Sequence, residues 1–172
     1  MLELKVAGDD DIEEVRHLFR EYADSLGIKL DFQNFEAELA RLPGDYCAPK
    51  GCILIALLDG QTVGCVALRE FGERVCEMKR LYVRPKFQGL KIGRALAESI
   101  IEMAKTLRYR KMRLDTLPSM KSAHSLYASL GFREIPPYRY NPVQGTSFME
   151  LTLTEPGLFA RAVRKTDDPV QN

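Results

Sequence analysis

"EMKRLYVRPKFQGLKIGRAL", residues 77–96, reads as a strand, a proline turn, a short basic loop containing glycine, and the start of an amphipathic helix. A loop that feeds a helix N-terminus in this way is a natural seat for phosphate, because the first N–H groups of the helix lack partners and the helix dipole favours an anion. The strand itself carries a second signal. Cys76 and Met78 share one parity, whereas Leu81 and Val83 share the other. Side chains alternate strictly along a strand, so this slip predicts one extra residue, a β-bulge, near Lys79-Arg80. A bulge splays a strand from its neighbour and frees backbone groups for a ligand. A strand buried on both faces would give the same pattern and stays open as an alternative.

Around this stretch the chain is organised as one mixed unit. "LELKVA" alternates as a first strand, and residues 10–25 carry Ile12, Val15, Leu18, Phe19 and Tyr22 at helical spacing with Asp9 or Asp10 as the cap. Residues 31–42 predict a short second helix with Phe32, Phe35 and Leu39 on one face, stopped by Pro43-Gly44. "CILIALLDGQTVGCVAL" predicts a hairpin turning at Asp59-Gly60. Residues 92–107 form a helix with Ile92, Leu96, Ile100, Met103, Ala104 and Leu107 on its apolar stripe. "KMRLDTL" is a strand, "SMKSAHSLYASL" a helix ended by Gly131, and "FREI" and "TSFMELTL" are the last strands, with "PPYRYNP" between them. The order β-α-α-β-β-β-α-β-α-β-β describes an α/β fold of the mixed α+β kind around one sheet. It forms one domain over residues 1–154, followed by a loosely held tail over 155–172.

At 172 residues with net charge +1, the chain can bury roughly two-thirds of its unfolded surface in a single core. No apolar run approaches the roughly 20 residues that span a bilayer, and the acidic start "MLELKVAGDDDIEE" does not resemble a secretory leader. The cysteines, Cys47, Cys52, Cys65 and Cys76, lack metal or redox spacing and read as reduced packing residues, so a cytoplasmic protein without a metal is expected. Charge is unevenly spread: residues 1–46 hold 12 acidic against 5 basic residues, while residues 78–113 hold 11 basic residues against Glu98 and Glu102. The basic block suits a polyphosphate ligand, a nucleic acid or a merely solvated face.

Spacing excludes two phosphate loops. A Walker A loop needs four residues between its glycines and then Lys-Ser/Thr, but Gly89 and Gly93 enclose three and Arg94-Ala95 follows. A dinucleotide fingerprint needs GxGxxG within a βαβ unit, which is absent. "QGLKIG", Gln88 to Gly93, together with the preceding "EMKRLYVRP" and the later "AHSLYASLGF", instead resembles the GNAT-type N-acetyltransferases. Their loop pattern is Gln/Arg-x-x-Gly-x-Gly/Ala after a bulged strand. The similarity runs in order over about residues 2–153. It implies a GNAT-like acyl-CoA N-acyltransferase fold with helices on both faces of the sheet, and acetyl-CoA as co-substrate. It places the diphosphate on Gln88, Gly89, Leu90, Lys91, Ile92, Gly93 and Arg94, and the pantetheine arm along the backbone of Leu81, Tyr82 and Val83. Two positions depart from the pattern: Lys91 replaces the inner glycine, and Met120 stands where an asparagine often helps hold pantetheine.

Acetyl transfer to an amine needs a neutral nucleophile, stabilisation of the developing oxyanion, and a proton for the departing thiolate. Backbone N–H groups near Leu81 to Val83 can meet the oxyanion. Tyr127 matches the family's tyrosine acid, and Glu77 matches a position where some members carry a glutamate base. Packing roles remain open for both, and His17 and His124 read as surface residues. In this family the acceptor pocket comes from the first helices and last strands, here residues 10–45 and 133–150, with Tyr138, Tyr140 and Phe148 as lining or packing residues. The expected acceptor is the primary amine of a small molecule or amino acid, attacked directly. Other readings are a protein N-terminus or lysine, a non-catalytic acyl-CoA sensor, and, ranked last, a nucleic-acid binder. No membrane partner is expected, and a homodimer is left open.

Overall fold

Seven strands in the order β1-β2-β3-β4-β5-β7-β6 make one sheet in the computed structural model, which describes residues 1–30 and 34–154. The strands are β1 (Leu2–Val6), β2 (Cys52–Leu58), β3 (Gln61–Gly72), β4 (Val75–Val83), β5 (Lys111–Thr116), β6 (Arg133–Ile135) and β7 (Ser147–Thr152). The helices are α1 (Ile12–Ser25), α2 (Phe35–Ala40), α3 (Ile92–Thr106) and α4 (Lys121–Ser129). All neighbours pair antiparallel except β4 and β5, which are joined through α3 and run parallel.

Two apolar layers cover the sheet, and strand alternation assigns residues to each. Cys52, Leu54 and Ala56 of β2 point into a core with Leu96, Ala97, Ile100 and Ala104 of α3 and Tyr127 of α4. Ile53 and Ile55 point the other way, against Val15, Leu18 and Phe19 of α1 and Phe35 and Leu39 of α2. Burying each of these large side chains contributes roughly 1.5–3 kcal/mol. That double burial explains why β2 and β3 read as apolar runs and not as alternating strands.

Most sequence expectations hold. The hairpin turns on Asp59 and Gly60, both at positive φ (50° and 81°), as a two-residue turn of the right twist requires. Gly131 closes α4 at φ 97°. Three readings need correction. The cap expected from Asp9 or Asp10 is absent: those residues form a single 3-10 turn with Asp11, whose carboxylate accepts the Gly8 N–H at 2.8 Å, and α1 begins at Ile12. The second helix is shorter than residues 31–42 because Arg41 leaves the helix ahead of Pro43; residues 31–33 lie outside the described residues, as does the expected tail after 154. Cys52, Cys65 and Cys76 are buried as expected, but Cys47 is exposed.

The bulge falls where the alternation slips. Between the pairs Ala67–Lys79 and Cys65–Tyr82, β3 advances by two residues and β4 by three, and Arg80 sits at φ 60°. On its other side β4 pairs with β5 only from Val75–Lys111 to Glu77–Arg113. Beyond those residues no register joins the two strands, and the open wedge they leave is the main irregularity of the sheet.

Candidate active site

The wedge is a narrow pocket lined by Tyr22 of α1, Met78 to Leu81 of β4, Leu114 and Asp115 of β5, Met120 and Tyr127. The alternation decides what enters it from each face. Met78 and Leu114 belong to the α3 core. Glu77, Lys79, Arg113 and Asp115 alternate with them and face the α1 side. Thr116, at the end of β5, is buried with no partner for its Oγ1 among the described residues. An unpaired buried hydroxyl costs on the order of 1–3 kcal/mol.

Charges around the wedge are shared across the chain. Arg80 is buried, donates through Nε to Glu38 Oε2 at 3.0 Å and stacks over Phe35, with its guanidinium carbon 5.2 Å from the ring centroid. Arg84 binds Glu21 (Nε to Oε2, 3.0 Å) and lies 2.9 Å from Glu14. Acids of the N-terminal helices therefore neutralise Arg80 of β4 and Arg84 just after it. Part of the sequence asymmetry is thus an internal complement, since Glu14, Glu21 and Glu38 meet Arg84 and Arg80. Lys79, 5% exposed, lies beside Arg80; burial, then that neighbouring charge, lowers its pKa to about 8.

Glu77 is fully buried and densely bonded. Its Oε1 accepts from Arg69 Nε at 2.9 Å and Arg139 Nη2 at 2.8 Å, and its Oε2 accepts from the Tyr138 hydroxyl at 2.7 Å. Arg139 Nη2 also lies 2.7 Å from Oε2, and Arg69 Nη2 2.8 Å from Oε1. A carboxylate offers about four accepting positions, and these contacts occupy them. The geometry fits an anchor that holds β3, β4 and the 136–146 segment together better than the base expected from sequence. Tyr138 also packs edge-on against Phe71 and Phe148, while Tyr140 is 77% exposed.

Tyr127 reaches the same pocket from α4, its ring 5.7 Å from Phe132. Burial, followed by the fields of Tyr22 and Asp115, raises its hydroxyl pKa above the ordinary tyrosine value, so it stays protonated. Met120 caps α4 without a side-chain hydrogen bond.

The loop before α3 has the form the sequence implied. Gly89 (φ 85°) and Lys91 (φ 61°) both take left-handed backbone, and Lys91 is the residue just before the helix. Here the family's glycine has a physical reason, and Lys91 adopts the same conformation at a cost of roughly 1–2 kcal/mol. Gln88 Nε2 donates to the Val83 carbonyl at 3.3 Å, tying the loop to the end of β4. The first intrahelical bond is Ala95 N–H to the Lys91 carbonyl, which leaves Ile92, Gly93 and Arg94 N–H at the exposed helix start. A Cβ at Gly93 would meet only Val83, at 3.8 Å, so its backbone is open to approach. Arg94 leans on Glu98 and Ser129. His17 and His124 pair with Glu14 and Glu134 at the surface.

Lys79, Asp115, Thr116 and Tyr22 escaped the sequence reading. "KMRLDTL" held a usable signal, since Arg113 and Asp115 alternate with Met112 and Leu114 on an interior strand. What that alternation could not give is the neighbouring strand, which is known only from the fold.

The family model for GNAT acetyltransferases matches residues 12–132. An uncharacterized N-acetyltransferase of Schizosaccharomyces pombe is 41% identical over 147 residues, covering 84% of this chain and 90% of that one. Mouse N-acetylaspartate synthetase is 37% identical over 100 residues, covering 57% of this chain and 33% of its own length. The PaiA N-acetyltransferase of Thermoplasma acidophilum, solved in complex with coenzyme A, superposes with TM-score 0.66 at 20% identity, covering 88% of this chain and 99% of that one. The chain belongs to the GNAT family and is an acetyl-CoA-dependent N-acetyltransferase.

Proposed function

We propose that the protein moves the acetyl group of acetyl-CoA to the primary amine of a small molecule or amino acid by direct attack. The observation that carries this reading is the small, enclosed pocket at the β4–β5 wedge, which Tyr127, Lys79 and Asp115 line together. The recess is walled by Tyr22, Met120 and Leu114 where β4 and β5 part, next to Tyr127. The relative that makes N-acetylaspartate points the same way. The four free cysteines suit a reducing compartment, the cytosol.

The residues present fit the co-substrate. N–H groups of Gly89 to Arg94, at a helix start with a glycine of positive φ, would hold the diphosphate, with the Gln88 side chain beside them. The backbone of Leu81 to Val83, where β5 has diverged, would pair with the amide-bearing arm. When bound, acetyl-CoA supplies an acyl carbon already activated as a thioester. At that carbon a C–N bond forms and the C–S bond breaks, and the amine's proton is exchanged for the acetyl group, with one proton ending on sulfur. Tyr127 holds a proton at its hydroxyl for the departing sulfur, and its dry setting penalises the thiolate as it does the phenolate. Tyr22, Met78 and Leu114 exclude water. Glu77 enters this proposal as an anchor, because its oxygens are already engaged.

The test is thiol release from acetyl-CoA against a panel of small amines, amino acids and short peptides. Acetylation of small amines or amino acids well above peptides is expected. Acetylation of peptides alone would overturn the small-acceptor reading.

A further inference from the structure

β1 ends the sheet, and no described strand pairs with its outer side. The register shows what that side offers. Residues of an antiparallel strand alternate, one bonding to its partner and the next turned away from it. The Asp59 N–H donates to the Met1 carbonyl at 3.1 Å, and the Ala7 N–H to the Ile53 carbonyl at 2.8 Å. Glu3 and Lys5, in step with Met1 and Ala7, therefore turn their backbone groups to Leu57 and Ile55 of β2. Leu2, Leu4 and Val6 aim theirs out of the open edge. The same strand exposes apolar side chains, Leu2 at 37% and Val6 at 51%. Glu3 and Lys5, also exposed, project from the opposite face. Lys5 meets Asp11 at 3.0 Å, and Glu3 has no side-chain partner among the described residues. An edge with free backbone groups and apolar side chains is a template for another strand.

We infer that this edge joins a second copy of the chain, β1 against β1, antiparallel and centred on Leu4, so that the sheet continues across a two-fold axis. In that register Leu4 pairs with the partner's Leu4, and Leu2 with the partner's Val6. Each outward N–H of these residues then meets an outward carbonyl. Between them, Glu3 falls opposite the partner's Lys5 and Lys5 opposite the partner's Glu3, at the positions of the ladder where side chains stand closest. The charges select the register. A slip of two residues sets Glu3 against Glu3 in one direction and Lys5 against Lys5 in the other. A slip of one sets groups that point outwards against groups already bonded to β2. The Leu2–Val6 pairs lie on the face where Leu4 packs towards α3, so the two apolar layers run on beside each other. A self-complementary contact of this kind closes as a dimer and leaves no second β1 edge to extend it. With only five residues in the strand, the interface is small and the dimer depends on concentration. β2 and β3 separate β1 from β4, so the wedge stays open in each copy.

Sedimentation equilibrium of the full-length protein over a series of concentrations reads the assembly. Wild type is expected to pass from the 19.5 kDa of one chain towards twice that mass as concentration rises. Glu3→Lys sets lysine against Lys5, and Lys5→Glu sets glutamate against Glu3, so each alone should weaken dimerisation at least 10-fold. Mixed in equal amounts, the two variants complement each other and should dimerise as wild type does. The double exchange should do the same. Melting curves and acetyl-CoA binding verify that each variant is folded. Glu3→Lys changes an exposed residue and decides the matter even where Lys5→Glu, which also loses Asp11, is unstable. A mass of 19.5 kDa at every concentration overturns the inference. So does a dimer that Glu3→Lys leaves intact, or one that the mixture of folded single variants fails to restore, since either places the contact on another surface.

Discussion

Replacing Glu77 with glutamine separates two roles that the sequence could not tell apart. The carboxylate is fully buried and is contacted by two guanidinium groups and one phenol, all within 2.9 Å. Glutamine preserves shape but removes the negative charge, leaving Arg69 and Arg139 facing each other around a neutral amide, whose NH2 also opposes their donors. Breaking a buried ion pair by removing one partner costs about 3–5 kcal/mol. Near 170 residues, 1 kcal/mol moves Tm by roughly 2–4 °C, so Glu77→Gln should lower Tm by about 6–20 °C. The assay is a melting curve beside turnover measured well below the transition. If Glu77 is an anchor, kcat falls only in step with the loss of folded protein and any loosening of the 136–146 segment. A Tm within about a degree of wild type together with a kcat loss of 10²-fold or more would refute the anchor reasoning and restore Glu77 as the base.

Three further perturbations test the site's surroundings. Met120→Asn supplies α4 with the side-chain cap it lacks, and should raise stability by about 1 kcal/mol in urea unfolding while tightening acetyl-CoA binding; an unchanged midpoint would contradict the cap argument. Lys91→Gly removes a left-handed lysine, and should stabilise by a few tenths to about 1 kcal/mol after the entropy of a freer unfolded chain is subtracted; a lower midpoint would show that lysine is not strained there. Lys79, with a folded pKa of about 8 against an ordinary 10.5, has released a proton that the unfolded chain still binds between those values. Wild-type stability should therefore rise between pH 8 and 10.5 relative to Lys79→Met, by at most about 3 kcal/mol, with the penalty fully present below pH 8. Parallel stability curves for the two proteins would refute it.

What the sequence revealed follows the range over which each signal acts. The bulge was legible because alternation is a local rule and one extra residue reverses it, so Cys76-Met78 against Leu81-Val83 located Arg80 without any partner strand. Gly131 and the Asp59-Gly60 turn were legible because their backbone needs φ above zero. The pocket's charges were not. Lys79 and Asp115 are 36 positions apart by their residue numbers, and only the parallel pairing of β4 with β5 makes them neighbours. The partners of the N-terminal acids were hidden for the same reason, since Glu38 and Glu14 meet Arg80 and Arg84 only once α1 and α2 lie on the sheet. Glu77 was expected as a base from the family pattern, and its partners Tyr138 and Arg139 arrive from a segment with no regular pattern to read.

The central claim is that the wedge between β4 and β5 binds acetyl-CoA and that Tyr127 gives the leaving sulfur its proton. One paired measurement tests both halves: thermal shifts with acetyl-CoA, CoA and ATP on wild type and Tyr127→Phe, with thiol release recorded on the same samples. The account predicts that acetyl-CoA at 100 times its Kd stabilises both proteins by about 2.7 kcal/mol, well above ATP, while Tyr127→Phe turns over 10²-fold or more slowly. No shift with acetyl-CoA at saturating concentration, or full turnover by Tyr127→Phe, would contradict it.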